Sequence, residues 1–176
     1  MMMSIAGKCL PFAAMLAFAT TPLGAETVGG DAAYCETGRG PAIQANVLGL
    51  KDRAGEIWFE LYPATEADFL RPDMDLVAEG KTFRRTRARL PASGPVSICI
   101  RVPHAGRYSV MVRHNRIGKD KFSIWSDGVG FPDNRKMGRN RPKFSQALID
   151  AGPGVTAATI RLQYLRGFGG FGPLDQ

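Results

Sequence analysis

His114 is the side chain best placed to do chemistry in this sequence. It ends an alternating apolar run and opens a loop carrying Ser123, Ser126, Asp127 and Asp133, so a base, hydroxyls and carboxylates share one segment. Such a set suits a small hydrolase or a carbohydrate-acting protein. Neither Gly-x-Ser-x-Gly nor His-Glu-x-x-His occurs, however, and a histidine at a strand end more often ties a loop to its sheet. The sequence therefore favours a non-enzymatic protein and keeps catalysis by His114 as the alternative. His104, beside a proline turn, reads as surface.

The same loop offers a second chemistry. Trp125 and Phe131 stand among Asp127, Gly128, Gly130 and Asn134, and exposed aromatic faces beside amide and carboxylate groups can hold sugar rings. The competing reading is that both aromatics fold back to cap the open end of a sandwich. His114, Asn115, Trp125, Asp127, Phe131 and Asn134 together form a candidate loop site.

Anion recognition is the third chemistry. The formal net charge is +7, and its distribution says more than its total. From Lys81 to Lys143 the chain is crowded with lysine and arginine against only Asp120, Asp127 and Asp133, whereas Glu26 to Glu79 is acidic. The candidate anion- or partner-binding residues are Arg84, Arg85, Arg87, Arg89, Arg113, Arg116, Arg135, Lys136, Arg139 and Arg141. An exported protein rarely meets nucleic acid, so the expected partners are phosphates of envelope lipids, an acidic wall polymer or a protein. Weak self-association of acidic with basic halves is a further reading, and a solvated basic face paired internally to the acidic stretch is the competing one.

Export itself is read from the N-terminus. Met1 to Lys8 carries one positive charge, Cys9 to Ala19 is apolar, and Thr20 to Ala25 is rich in small residues, the layout of a signal peptide over residues 1–25. Cleavage is placed after Ala25, with Ala17-Phe18-Ala19 as the other candidate. The apolar run is about half the roughly 20 residues that span a bilayer, so no membrane span is expected. Cys35 and Cys99 then remain, and in an oxidising compartment they are expected to form a disulfide. Their spacing lacks the C-x-x-C pattern that zinc or redox chemistry needs, and no cofactor or metal is expected.

The elements that would position these groups are strands. Ile43, Ala45 and Val47 alternate with Gln44 and Asn46; Ile57, Phe59 and Leu61 alternate with Trp58, Glu60 and Tyr62; a hairpin through Lys51–Gly55 is expected between them. Thr82 to Leu90 reads as a basic edge strand. Val96, Ile98, Ile100 and Val102 share one face, which leaves Cys99 pointing outward and requires the segment with Cys35 to cross the outside of that strand. Tyr108, Val110 and Val112 point inward, as does His114 by parity. Phe144 to Ala151 reads as a short helix or irregular segment, and Ala158 to Tyr164 as a last strand. The expected fold is all-β, an antiparallel Greek-key sandwich of about seven strands. Its expected parts are a lead-in (26–41), a sandwich domain (42–166) and a frayed Gly-rich tail (167–176).

The run Pro103-x-x-Gly106-x-Tyr108-x-Val110-x-Val112-x-His114-Asn115, then Gly128-x-Gly130-Phe131-x-x-Asn134 and Arg141-Pro142-x-Phe144-x-x-Ala147, resembles the uncharacterised exported bacterial family called domain of unknown function 2141. Gly49-Leu50, Gly55 and Leu61-Tyr62 also fit, so the resemblance runs from Ile43 to about Tyr164. It implies a prealbumin-like β-sandwich and a periplasmic or secreted location, and no activity. Family members follow the strand with an aspartate- and asparagine-rich loop reminiscent of calcium ligation. Here the run is His114-Asn115-Arg116-Ile117-Gly118-Lys119-Asp120, where an amide replaces the first carboxylate and cations crowd the loop, so calcium is not expected.

Overall fold

Alternation along the chain produces two β-sheets packed face to face in the computed structural model, which describes residues 25–174. The proposed signal peptide therefore lies, but for Ala25, outside the described residues. The first sheet has the order β1 (Glu26–Val28), β5 (Val96–Arg101), β2 (Ala42–Leu48), β9 (Val155–Arg161). The second runs β11 (Phe171–Pro173), β10 (Gln163–Leu165), β7 (Gly128–Gly130), β6 (Gly106–Asn115), β3 (Glu56–Pro63), β4 (Arg84–Arg89), with β8 (Leu148–Ala151) pairing to the start of β6. The short helices are α1 (Ala32–Glu36), α2 (Asp73–Ala78) and α3 (Phe144–Ala147).

The core forms where the apolar parities of both sheets meet. Ile43, Ala45 and Val47 of β2 with Val96, Ile98 and Ile100 of β5 face Ile57, Phe59 and Leu61 of β3 with Tyr108, Val110 and Val112 of β6, and all are buried. β-branched residues dominate this set because a stiff branched side chain fits the pleated, two-sided interior. A sandwich is thus what the period-2 pattern requires.

Four expectations are corrected. β2 and β3 form no hairpin: they lie in different sheets, and residues 49–55 cross between them. Gly55 explains the sharp entry, since it has φ 73° and any side chain there would collide with the Asn115 carbonyl. The first sheet is mixed rather than antiparallel, because β1 runs parallel to β5 and β2 parallel to β9. Eleven strands occur among the described residues, several too short for a periodic signal. The described part of the Gly-rich tail (167–174) belongs to the sandwich, because β11 pairs with β10 and Phe171 is buried among Val129, Phe131 and Ala147. Glycine there lets the chain pass against Gly138, which exchanges backbone hydrogen bonds with Phe171.

β4 stands at a sheet edge, as its charges lead one to expect. Cys35, on α1, bonds to Cys99 across the outer side of β5 with Cα atoms 6.0 Å apart. Closing a loop of 64 residues in this way stabilises by about 4 kcal/mol in the chain-entropy model. The lead-in is thereby stapled to the first sheet.

Candidate functional site

Trp58, Glu60 and Tyr62 occupy the parity of β3 that turns away from the core, yet all three are buried. A strand buried on both faces needs a second covering layer. Here that layer is made of loops: residues 64–72 and α2 on one side, 116–127 and 131–143 on the other, and the turn before β11.

Arg113 organises one half of this layer. It is 3% exposed on the outer face of β6, and its Nε and Nη2 donate to Asp127 Oδ2 at 3.2 and 2.8 Å. Nη1 donates to the Asp120 carbonyl at 2.7 Å, and Nη2 to those of Lys119 and Lys121 at 2.8 and 2.9 Å. The loop is wrapped round a guanidinium, whose planar fork satisfies several oxygens at once. Trp58 lies beneath it, with the guanidinium carbons of Arg87, Arg113 and Arg85 at 4.5, 4.7 and 5.0 Å from the ring centre.

Past Arg113 the layer opens into a cleft of about 760 Å³. Its floor is the outer face of the second sheet, with Glu60, Tyr62, Met111, Val129 and Leu165, and its walls include Leu70, Phe122, Phe131, Met137 and Phe171. Arg139 and Arg141 line it and are exposed. At the floor a polar cluster is fully engaged: Tyr62 donates to Glu60 at 2.5 Å, Arg85 to Glu60 at 2.7 Å and to Asp73 at 2.9 Å. Burial and the charge of Glu60 push the Tyr62 hydroxyl far above its ordinary pKa, so it remains a donor. Leu70 has φ 60°, a strained backbone for a branched residue, and such strain tends to collect at ligand clamps. Asp68 anchors the same wall, accepting from Lys81 at 2.7 Å, Thr65 at 2.7 Å and Arg71 at 3.1 Å, which holds its carboxyl at about 2. The cleft is apolar inside and cationic at its lip.

A family model described as an uncharacterised protein conserved in bacteria, domain of unknown function 2141, matches residues 45–159. The chain belongs to this family. The matched span of the family model takes in the cleft floor on β3, β6 and β7 and the arginine lip, whereas Cys35 and the β10–β11 wall lie outside it. No curated protein and no solved structure matches the chain.

The candidate loop site is dispersed by the fold. His114 faces inward with no exposed surface, and both ring nitrogens are taken: Nδ1 lies 2.7 Å from Tyr164 Oη and Nε2 2.8 Å from the Ala54 carbonyl. A carbonyl can only accept, so Nε2 carries the proton and Nδ1 accepts from the tyrosine, whose oxygen accepts in turn from the Lys51 backbone N–H at 3.1 Å. Burial depresses the His114 pKa, opposed by the Ala54 carbonyl and Asp52, and keeps the ring neutral. The network ties the 49–55 crossing to β6 and β10. Asn115 is buried beside it, and neither side-chain atom finds a partner among the described residues. Asp127 belongs to Arg113, Phe131 is buried in the cleft wall, and Asn134 latches its loop to β9 through the Thr159 carbonyl at 2.8 Å and the Arg161 N–H at 2.6 Å. Trp125 alone of the set is strongly exposed, at 79%.

The cationic residues divide as well. Arg84 pairs with Asp31 at 3.3 Å, Arg85 with Glu60 and Asp73, Arg113 with Asp127, and Arg116 with Asp52. Arg84, Arg85 and Arg116 are thus neutralised by the acidic first part of the chain, and Arg113 by an aspartate of its own loop. Arg87, Arg89, Arg135, Lys136, Arg139 and Arg141 are exposed. The residues the sequence did not single out are Tyr62, Leu70, Met111, Phe122, Met137 and Phe171, and one signal for them existed. Trp58 and Tyr62 are too large and too apolar for the solvent face that their parity assigns them.

Proposed function

We propose that the protein is a non-enzymatic binding module of the periplasm or outer-envelope space that holds an anionic amphiphile. The ligand's apolar body lies in the cleft on the outer face of β3 and β6, and its anionic group meets Arg139 and Arg141. The observation that carries this reading is the cleft itself: about 760 Å³ of largely apolar wall with two exposed arginines at the lip and a polar cluster at the floor already satisfied by its own members. Pockets of this size and character commonly take small amphiphilic ligands. The exported location rests on the N-terminal pattern of residues 1–25.

The reading narrows the anion-binding set from the whole basic stretch to its exposed members. Arg84, Arg113 and Arg116 spend their charge on the fold, and Arg85 shapes the cleft floor. His114 is enclosed on the inner side of the second sheet, away from the cleft, so no observation favours a hydrolytic role for it.

Titration calorimetry with dodecyl phosphate tests the proposal. Binding is expected for the wild type, reduced about tenfold by Arg139→Glu with Arg141→Glu, and abolished by Met111→Asp, which places a charge on the cleft floor. Undiminished binding by all three substitutions together would exclude the cleft.

A further inference from the structure

One edge of the cleft carries features that its interior does not explain. Trp125 and Phe168 are 79% and 93% exposed, and Ile124 beside Trp125 is 49% exposed. Their chain segments, far apart in sequence, meet at the cleft, where Phe122 and Ile124 line it together with Gly167, Gly170 and Phe171. The Phe122 and Phe171 rings have centroids 6.0 Å apart, Gly138 bridges to Phe171, and Arg139 Nε donates to the Phe168 carbonyl at 2.6 Å. The segment next to them is basic, with Arg135, Lys136, Arg139, Arg141 and Lys143 against Asp133 alone.

We infer that this edge, formed by Phe122, Ile124, Trp125, Phe168 and Arg139, docks on the surface of an anionic lipid bilayer. The inference rests on the cleft reading and goes beyond it by naming the source of the ligand. Large apolar side chains on loop tips beside exposed arginines are what an interfacial protein sets into the headgroup layer. The apolar groups enter the acyl boundary while the cations meet lipid phosphates. The helix α2 is differently made: Met74 is exposed there too, but its neighbours are acidic, Asp73 already paired with Arg85 and Asp75 exposed, so it lacks the cations that would meet lipid phosphates. Charge therefore selects which edge faces the membrane and turns the open cleft toward a lipid.

The chain has two tryptophans, and Trp58 is buried beneath three guanidinium groups, so a change in emission on docking reports Trp125. The oxidised protein is mixed with vesicles of phosphatidylglycerol or of phosphatidylcholine at low and high salt, and sedimentation and emission are followed. The expected result is sedimentation with phosphatidylglycerol only, weakened by salt, with a blue shift of emission. Trp125→Phe keeps the sedimentation and loses the shift. Trp125→Ser with Phe168→Ser, both at exposed positions, lowers partitioning about tenfold or more and leaves dodecyl phosphate binding unchanged. Absence of sedimentation, or sedimentation indifferent to that double substitution, overturns membrane docking. Retained vesicle docking in a protein that fails to bind dodecyl phosphate overturns the cleft reading alone. Capture by an acidic polysaccharide with no vesicle binding overturns the inference in favour of a polymer.

Discussion

Arg113 and His114 are neighbours on β6, and the strand turns them to opposite faces of one sheet. Both are buried and both are fully hydrogen bonded, yet they do different things. His114 closes a short chain of neutral groups, from the Lys51 N–H through Tyr164 to the Ala54 carbonyl, inside a core that is otherwise apolar. Arg113 keeps its charge, gathers backbone carbonyls and one carboxylate, and covers Trp58. The inner face is closed by packing and the outer face by electrostatics. Only on the outer face does the covering stop short and leave a cleft.

That contrast is broken most forcefully at Arg113. Arg113→Met removes the cation and leaves Asp127 buried with an uncompensated charge, and breaking one partner of a buried pair costs about 3–5 kcal/mol. Urea denaturation should show a loss of that size. A second change, Asp127→Leu, should restore part of it, whereas an additive double variant would mean that the pair is not the centre of the loop.

The inner face yields less and yields it to acid. The folded pKa of His114 lies below the ordinary value of 6.5 because burial disfavours the ring's charge, so below that pH the unfolded chain binds more protons than the folded one. The contribution of the neutral His114 to stability is therefore fully present above about 6.5 and is lost as pH falls through the window beneath it. Protonation also sets two donors, Nδ1–H and the Tyr164 hydroxyl, against each other. His114→Gln is expected to cost about 1–2 kcal/mol at neutral pH and to flatten the melting temperature between neutral pH and mild acid. An unchanged acid slope in the variant would move the effect to other groups.

The inner face was legible in the sequence and the outer face largely was not. Period-2 alternation at Ile43 to Val47, Ile57 to Leu61, Val96 to Val102 and Tyr108 to Val112 gave the core. The parity of Cys99 gave the crossing of Cys35, and the parity of His114 gave its inward turn. Alternation says which residues share a face, but not which sheet a strand joins, so the patterns of β2 and β3 suit a hairpin that the crossing at Gly55 does not allow. β7, β10 and β11 are three residues each, too short for a period to show, and glycines in sequence do not distinguish a frayed end from the close approach found around Phe171. The loop residues disperse for a related reason. Residues adjacent on one loop, such as Trp125 and Asp127, point to different environments because Arg113, anchored on a strand, draws the carboxylate inward and leaves the indole outside.

Ligand binding in the cleft is most directly tested by a two-dimensional amide NMR titration of the oxidised protein with dodecyl phosphate. Saturable shifts are expected at Tyr62, Met111, Val129 and Phe171 on the floor and walls and at Arg139 on the lip, with the inner-face amides of Ile43 and Ile98 unmoved. Shifts confined to the exposed arginines Arg87 and Arg89 on β4, or no saturable shifts at all, would contradict it.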